Sequence, residues 1–283
     1  MPHGGHIGGG ASASAPPVVM GILNVTPDSF SDGGEYLETG AAAARAAEML
    51  DEGAGILDVG GESTRPGSDP VPEAEETRRV LPVIREILAA RPEAVISTDT
   101  YHAATAEAAL EAGASMVNDI SALNGDPRMA EAVAGAGCPV VLMHMLGEPK
   151  TMQQSPRYDD VVAEVREFLA RRAEAAISAG VEPENVILDP GLGFGKTLEH
   201  NLALIENLDA IADLGFPVLF GASRKSFIGK VSGGGAKSPD ERLFGTVATS
   251  VLAYERGAGI FRVHDVRANR EALEVAAAVV SFS

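Results

Sequence analysis

Polar side chains close a series of apolar runs along this 283-residue chain, and their types define the chemistry available to it. Asp99, Asn118 and Asp189 each follow a run of aliphatic and β-branched residues. Carboxylate and amide oxygens accept N–H donors, and the amide also donates. Lys225, Arg262 and His264, near the ends of two later runs, offer donors and positive charge to an anion. Asn24, Glu62 with Thr64, His144, and Ser223 with Arg224 hold the same place in other runs. Helix caps and turns also draw on Asp, Asn, Ser and Thr, which explains Asp99 or Asn118 taken singly. It explains poorly Arg262 and His264, which alternate with Phe261 and Val263 and so share one strand face. A serine nucleophile needs a G-x-S-x-G elbow and a thiol nucleophile a Cys–His pair. Neither is evident.

The segment "ILDPGLGFGKT" (187–197) resembles a phosphate loop at first sight. A Walker loop needs four residues between its first glycine and the Gly-Lys-Thr, and Pro190 stands where that first glycine belongs. What the segment does offer is the Asp189 carboxylate, followed by glycines that let a flat ligand approach the backbone closely. Lys196 then reads as a surface or helix-start residue.

The elements that must position these groups follow from periodicity. Eight short apolar runs occur, at 18–25, 55–61, 94–100, 115–120, 139–145, 185–191, 217–223 and 259–265. Between them lie Ala-, Glu- and Arg-rich stretches with helical spacing, such as "TGAAAARAAEMLDEGA", "HAATAEAALEAGA" and "YDDVVAEVREFLARRAEAAISAG". Gly53, Gly113, Gly180 and Gly257 stand where helices should stop. Alternating strands and helices specify a parallel sheet with crossovers, and eight units fit a single (β/α)8 TIM barrel, class α/β, over 18–283. An open doubly wound sheet is the alternative. In a barrel, all the strand-end polar residues gather at one face.

Composition narrows the partners. Net charge is −18 with only five lysines, which disfavours nucleic acid and anionic membrane surfaces. No apolar stretch reaches the roughly 18 residues needed to span a bilayer. Residues 1–17, "MPHGGHIGGGASASAPP", lack the basic start and apolar centre of a signal peptide and read as a flexible tail. The single cysteine, Cys138, permits no disulfide within the chain and reads as a small core residue, which makes the cytoplasm the expected compartment.

Eight motifs, in order along residues 18 to 280, resemble dihydropteroate synthases. They are "GILNVTPDSFSDGG" (21–34), "DVGGESTRPG" (58–67), "STDTY" (97–101), "NDISA" (118–122), "LMHMLGEPKTMQ" (142–153), "LDPGLGFGKT" (188–197), "GASRKSFIG" (221–229) and "FRVHDV" (261–266). The resemblance implies condensation of p-aminobenzoate with 6-hydroxymethyl-7,8-dihydropterin diphosphate, giving 7,8-dihydropteroate and diphosphate. It also implies a barrel fold, a homodimer, Mg2+ alongside the diphosphate, and inhibition by sulfonamides.

By that resemblance Asp99, Asn118, Asp189, Lys225 and Arg262 grip the pterin, with Met143 and Phe194 packing on it. Asp99, Asp189, Lys225 and Arg262 carry the catalytic roles. Asn24, Arg65, Arg262 and His264 meet the diphosphate, and Asn24 meets the metal. Pro27 and Phe30 would wall the p-aminobenzoate site, where Thr64, Arg65, Pro66, Lys225 and Ser226 supply partners. Asp28 and Asp32 would help to hold the first loop closed over both substrates. Arg224 reads as structural, in an ion pair, and His144 as structural beside Met143. Loss of diphosphate leaves a cation delocalised over the pterin, so dissociation can precede attack by the neutral arylamine. A corrinoid-linked methyltransferase of the same barrel group and a catalytically idle pterin binder are the competing readings.

Overall fold

The computed structural model describes residues 16–26, 35–63, 68–231 and 237–282. Eight strands form its centre: β1 Val18–Asn24, β2 Ile56–Gly60, β3 Ile96–Asp99, β4 Met116–Asp119, β5 Val140–Met143, β6 Val186–Asp189, β7 Leu219–Phe220 and β8 Ile260–Val263. All neighbours pair in parallel in the order β6-β5-β4-β3-β2-β1-β8-β7, and a parallel bridge between Leu188 and Val218 joins the two ends. That closure makes the sheet a (β/α)8 barrel and excludes the open doubly wound alternative. The run at 217–223 yields a strand of only two residues. Pro217 has no N–H to give to a ladder, and beyond Phe220 the chain turns away through Arg224 at φ 57°. Pairing nevertheless continues irregularly, with the Leu188 N–H on the Pro217 carbonyl at 2.9 Å and the Gly259 N–H on the Val218 carbonyl at 3.0 Å.

The helices are α1 Glu35–Asp51, α2 Glu73–Ala90, α3 Ala103–Glu111, α4 Met129–Ala136, α5 Val161–Ser178, α6 Leu198–Glu206, α7 Asp209–Ala212, α8 Ser226–Val231, α9 Leu243–Tyr254 and α10 Val266–Phe282. The four expected stop glycines, 53, 113, 180 and 257, all lie at positive φ between 95° and 110°, where a Cβ is disfavoured. Asp160 caps α5 by accepting from the Val162 and Ala163 N–H groups, and Thr197 forms a capping box with His200 at the start of α6.

The core has two parts. One lies between barrel and helices and includes Cys138, which is buried as expected. The other plugs the barrel itself with Met20, Ile56, Met116, Val141, Ile187, Leu219 and Ile260, each from a different strand. Side chains alternate across a strand, so the residue two further on points to the same interior, one layer nearer the C-terminal ends. Those residues are Ile22, Asp58, Asn118, Met143, Asp189, Gly221 and Arg262. Strand β3 adds Asp99, in register with Gly60 on one side and Asn118 on the other. An apolar floor thus carries a largely polar ring.

Candidate active site

Arg262 organises one half of the ring. Its Nε donates to Asp58 Oδ2 at 2.5 Å and its Nη2 to Asp99 Oδ2 at 2.6 Å, so one guanidinium from β8 bridges β2 and β3. The same Asp58 oxygen accepts the Asn118 amide N–H at 3.0 Å. Burial opposes the charge on Arg262, but Asp58 and Asp99 together outweigh it and hold the guanidinium protonated. Burial pushes the Asp99 carboxyl up to about 7; Arg262 resists that rise, while Asp58, Glu76 and Asp119 add to it. Asp58 was not among the residues expected in the site.

The other half is built by the glycine segment after β6. Asp189 is buried, and its Oδ1 accepts the Gly191 N–H at 2.7 Å. Burial raises its carboxyl pKa against the pull of Lys225, of that N–H and of Arg262. Lys225, in the turn before α8, donates to the Leu192 carbonyl and holds its ammonium 4.5 Å from the centre of the Phe194 ring, a cation–π contact. Burial lowers Lys225 to about 8, with Asp189 opposing and Arg262 adding to the fall. Gly221 separates the two halves: a Cβ there would sit 3.8 Å from Asp189 Oδ2 and 3.9 Å from Arg262 Cβ. Met143 is buried and pairs in register with Asp189.

Lys196 is a correction to the sequence reading, being buried and not on the surface. Its Nζ lies 2.9 Å from His144 Nδ1, 2.9 Å from the Gly191 carbonyl, 3.0 Å from that of Phe194 and 3.3 Å from that of His144. The glycine segment wraps around the ammonium, which donates to its carbonyls; that of Gly191 also accepts the Phe194 N–H at 3.1 Å. Burial, with Lys225 nearby, depresses the Lys196 pKa well below the lysine range. Burial, then Lys196, takes His144 down to about 3. His144 is therefore neutral, and its Nδ1 can accept from Lys196. Gly191 shows how tight the packing is: at φ 64°, an added Cβ would meet the His144 carbonyl oxygen at 1.9 Å.

At the mouth of β7 and β8, the Ser223 hydroxyl lies 2.9 Å from His264 Nδ1 and accepts the His264 backbone N–H at 3.1 Å. Arg224 is structural as expected, donating to both Asp265 oxygens at 2.7 and 3.0 Å and to Asp240 at 2.7 Å. Asn24 ends β1, partly buried, and Ser226 opens α8, exposed. Glu62 is buried and accepts from the Val71 N–H at 2.8 Å and the Tyr101 hydroxyl at 2.9 Å.

A family model described as pterin binding enzyme matches residues 20–264. A dihydropteroate synthase of Escherichia coli strain K12 is 48% identical over 94% of this chain and 92% of its own. The chain belongs to the dihydropteroate synthase family. Among solved structures, a Xanthomonas albilineans dihydropteroate synthase with 4-aminobenzoic acid superposes with TM-score 0.87 at 48% identity, covering 94% of both chains. A Yersinia pestis dihydropteroate synthase in a sulfonamide drug complex gives 0.87 at 45%, covering 94% of this chain and 95% of that one.

Of the residues expected to grip a pterin in this dihydropteroate synthase relative, Asp99, Asn118, Met143, Asp189 and Arg262 share one ring, and Lys225, in the turn before α8, stands beside it with Phe194 against its ammonium. Asn24 and His264 lie at strand ends on the same face. Pro27, Asp28, Phe30, Asp32, Thr64, Arg65 and Pro66, like residues 1–15 of the expected tail, lie outside the described residues. Asp58 could have been found by alternation, since it sits two positions beyond Ile56 on the inner face of β2. For Lys196 the sequence holds no comparable signal.

Proposed function

We propose that the chain condenses 6-hydroxymethyl-7,8-dihydropterin diphosphate with p-aminobenzoate, releasing diphosphate and forming 7,8-dihydropteroate. The observation that carries this reading is the buried ring itself: Asp99, Asn118 and Asp189 face one interior with Lys225 and Arg262 beside them. A dihydropterin presents N–H donors and ring acceptors along its edges. Asp99 and Asp189 are short of donors and shifted toward the neutral form by burial, so donors from a ligand favour their charged forms. Lys225 and Arg262 balance that charge, and Met143 with Phe194 offers apolar packing to the ring. Glycine at 221 keeps a side chain from standing between Asp189 and Arg262.

The bond that breaks joins the pterin methylene carbon to the diphosphate oxygen, and the electron pair leaves with diphosphate. The cation left behind is delocalised over the pterin, next to a ring rich in carboxylates. The arylamine nitrogen, neutral near pH 7, then forms the new C–N bond and gives up one proton. No side-chain nucleophile is needed. Arg262 in the ring and His264 at the mouth would meet the departing oxygens. Mg2+, when bound, would neutralise charge on the diphosphate. The residues present fit such a metal in a limited way. The described residues hold no group of three or more His, Cys, Asp or Glu able to bind one. Asn24 would contribute a single hard amide oxygen, with the remaining ligands coming from diphosphate and water.

Sulfonamides would compete with p-aminobenzoate for the outer part of the site. A homodimer is proposed through α9 and α10, which pack together and leave Phe244, Leu252, Val275, Val279 and Phe282 exposed. The cytoplasm is the proposed compartment, on the sequence's single cysteine. The deciding experiment is turnover with purified protein. Diphosphate release that requires both substrates supports the reading. Release independent of p-aminobenzoate, or pterin binding without turnover, would refute it.

A further inference from the structure

Asp58 is fully buried in the barrel, and one of its two oxygens is doubly used while the other is idle. Oδ2 accepts from both Arg262 and Asn118, and Oδ1 has no hydrogen-bond partner among the described residues although it is enclosed. A buried carboxylate oxygen left unpaired forfeits its hydration without a compensating hydrogen bond. An apolar side chain at this position would continue the floor formed by Ile56 and its neighbours without that cost. It would also leave Arg262 Nε and the Asn118 amide N–H without their acceptor, so the part Asp58 plays is read from those two partners.

We propose that Asp58 is a positioning residue of the pterin pocket: it takes the NH2 end of the Asn118 amide, so that the carbonyl oxygen is left for a ligand N–H, and it pins Arg262 through Nε. This rests on the function proposed above and adds a determinant of which donor pattern the pocket accepts. The two ends of an asparagine amide have nearly the same shape and opposite hydrogen-bonding character. The shape of a cavity does not choose between them; a neighbour must. Asp58 Oδ2 accepts from Arg262 Nε and offers Asn118 an acceptor, so it selects the NH2 end. Using Nε for Asp58 and Nη2 for Asp99 fixes the guanidinium plane at two points, on two strands.

The same carboxylate acts on Asp99 through space. The charged groups facing Asp99 are Arg262 from β8, Asp58 from β2, Glu76 from α2 and Asp119 from β4. Among them Asp58 raises the pH at which Asp99 becomes a carboxylate. Replacing Asp58 with a neutral group of equal size lowers that pH.

The test begins with wild-type turnover of both substrates, whose failure would refute the proposed function before any variant is made. Binding of the diphosphate pterin is then measured by calorimetry for Asp58→Ala, Asn118→Ala, the double variant and Asp58→Asn, from pH 5.5 to 8.5. Asp58→Ala is expected to weaken binding roughly 10- to 100-fold, and to weaken it several-fold less in the Asn118→Ala background, because the amide it orients is gone. Asp58→Asn is expected to move the acidic limb of binding to lower pH by on the order of one unit. If Asp58→Ala does not fold, the isosteric Asp58→Asn carries the test alone. Additive losses in the double variant, or an acidic limb that stays in place, would overturn the assignment.

Discussion

Lys196→Met is the most informative single change. Methionine keeps most of the length and apolar stem of lysine but removes the ammonium. Four acceptors lie within 3.3 Å of Lys196 Nζ: His144 Nδ1 and the carbonyls of His144, Gly191 and Phe194. Of the three at 2.9 to 3.0 Å, His144 Nδ1 and the Phe194 carbonyl would be left without that donor, while the Gly191 carbonyl keeps the Phe194 N–H at 3.1 Å. At about 1–3 kcal/mol for each orphaned buried group, the gross loss is several kcal/mol. Part is recovered, because burial already strains the ammonium and lowers its pKa. A net loss of about 2–4 kcal/mol remains, equivalent to a fall in Tm of roughly 5–15 °C for a chain of this size. Differential scanning calorimetry at pH 7 measures it, and pterin affinity should fall with it, since Phe194 and the Lys225 partner Leu192 lie in the released segment. A Tm within ~2 °C of wild type together with unchanged pterin affinity would show that the ammonium does not organise the segment.

Three further outcomes are expected. Asp189→Asn should weaken pterin binding roughly 100-fold, about the worth of hydrogen bonds to a charged acceptor, while the ligand-free protein keeps its Tm or gains slightly, because a buried carboxyl raised in pKa is neutralised; titration calorimetry and thermal melts together test this. The pH profile of kcat/KM should be bell-shaped, falling below about 7 as Asp99 gains its proton and above about 8 as Lys225 loses one; a flat profile between pH 6 and 9 would contradict both assignments. Gly191→Ala should be poorly folded or lose about 3 kcal/mol or more, since the added methyl meets the His144 carbonyl at positive φ, whereas Gly137→Ala, also at positive φ but with open space, should cost less on the same melt.

The strand ends were legible because β-branched runs and stop glycines mark a (β/α)8 chain, and because Arg262 and His264 repeat with the period of a strand. Asp99, Asn118 and Asp189 were found in this way. Asp58 was passed over because it stands in mid-run with apolar residues on either side, although counting in twos from Ile56 puts it on the inner face. Lys196 could not be read from the chain. Its neighbours Thr197 and Leu198 do begin a helix, and only the path of the glycine segment over His144 encloses its side chain. Glu76 raised the same difficulty: it lies in "PEAEETRR", which reads as a solvated face, yet it is buried against Thr100 and His102. The short β7 depended on how the barrel closes, which no local pattern encodes.

Floor and ring are alternate residues of the same strands, and this ties catalysis to folding. A slip of one residue in any strand would turn its ring member out toward the helices and bring a helix-facing side chain in. For β2, β6 or β8 the slip would strand Asp58, Asp189 or Arg262 among aliphatic side chains, so misregistered barrels are penalised by the very groups that bind substrate. Mutations that neutralise the ring would be expected to relax that proofreading as well as to abolish turnover.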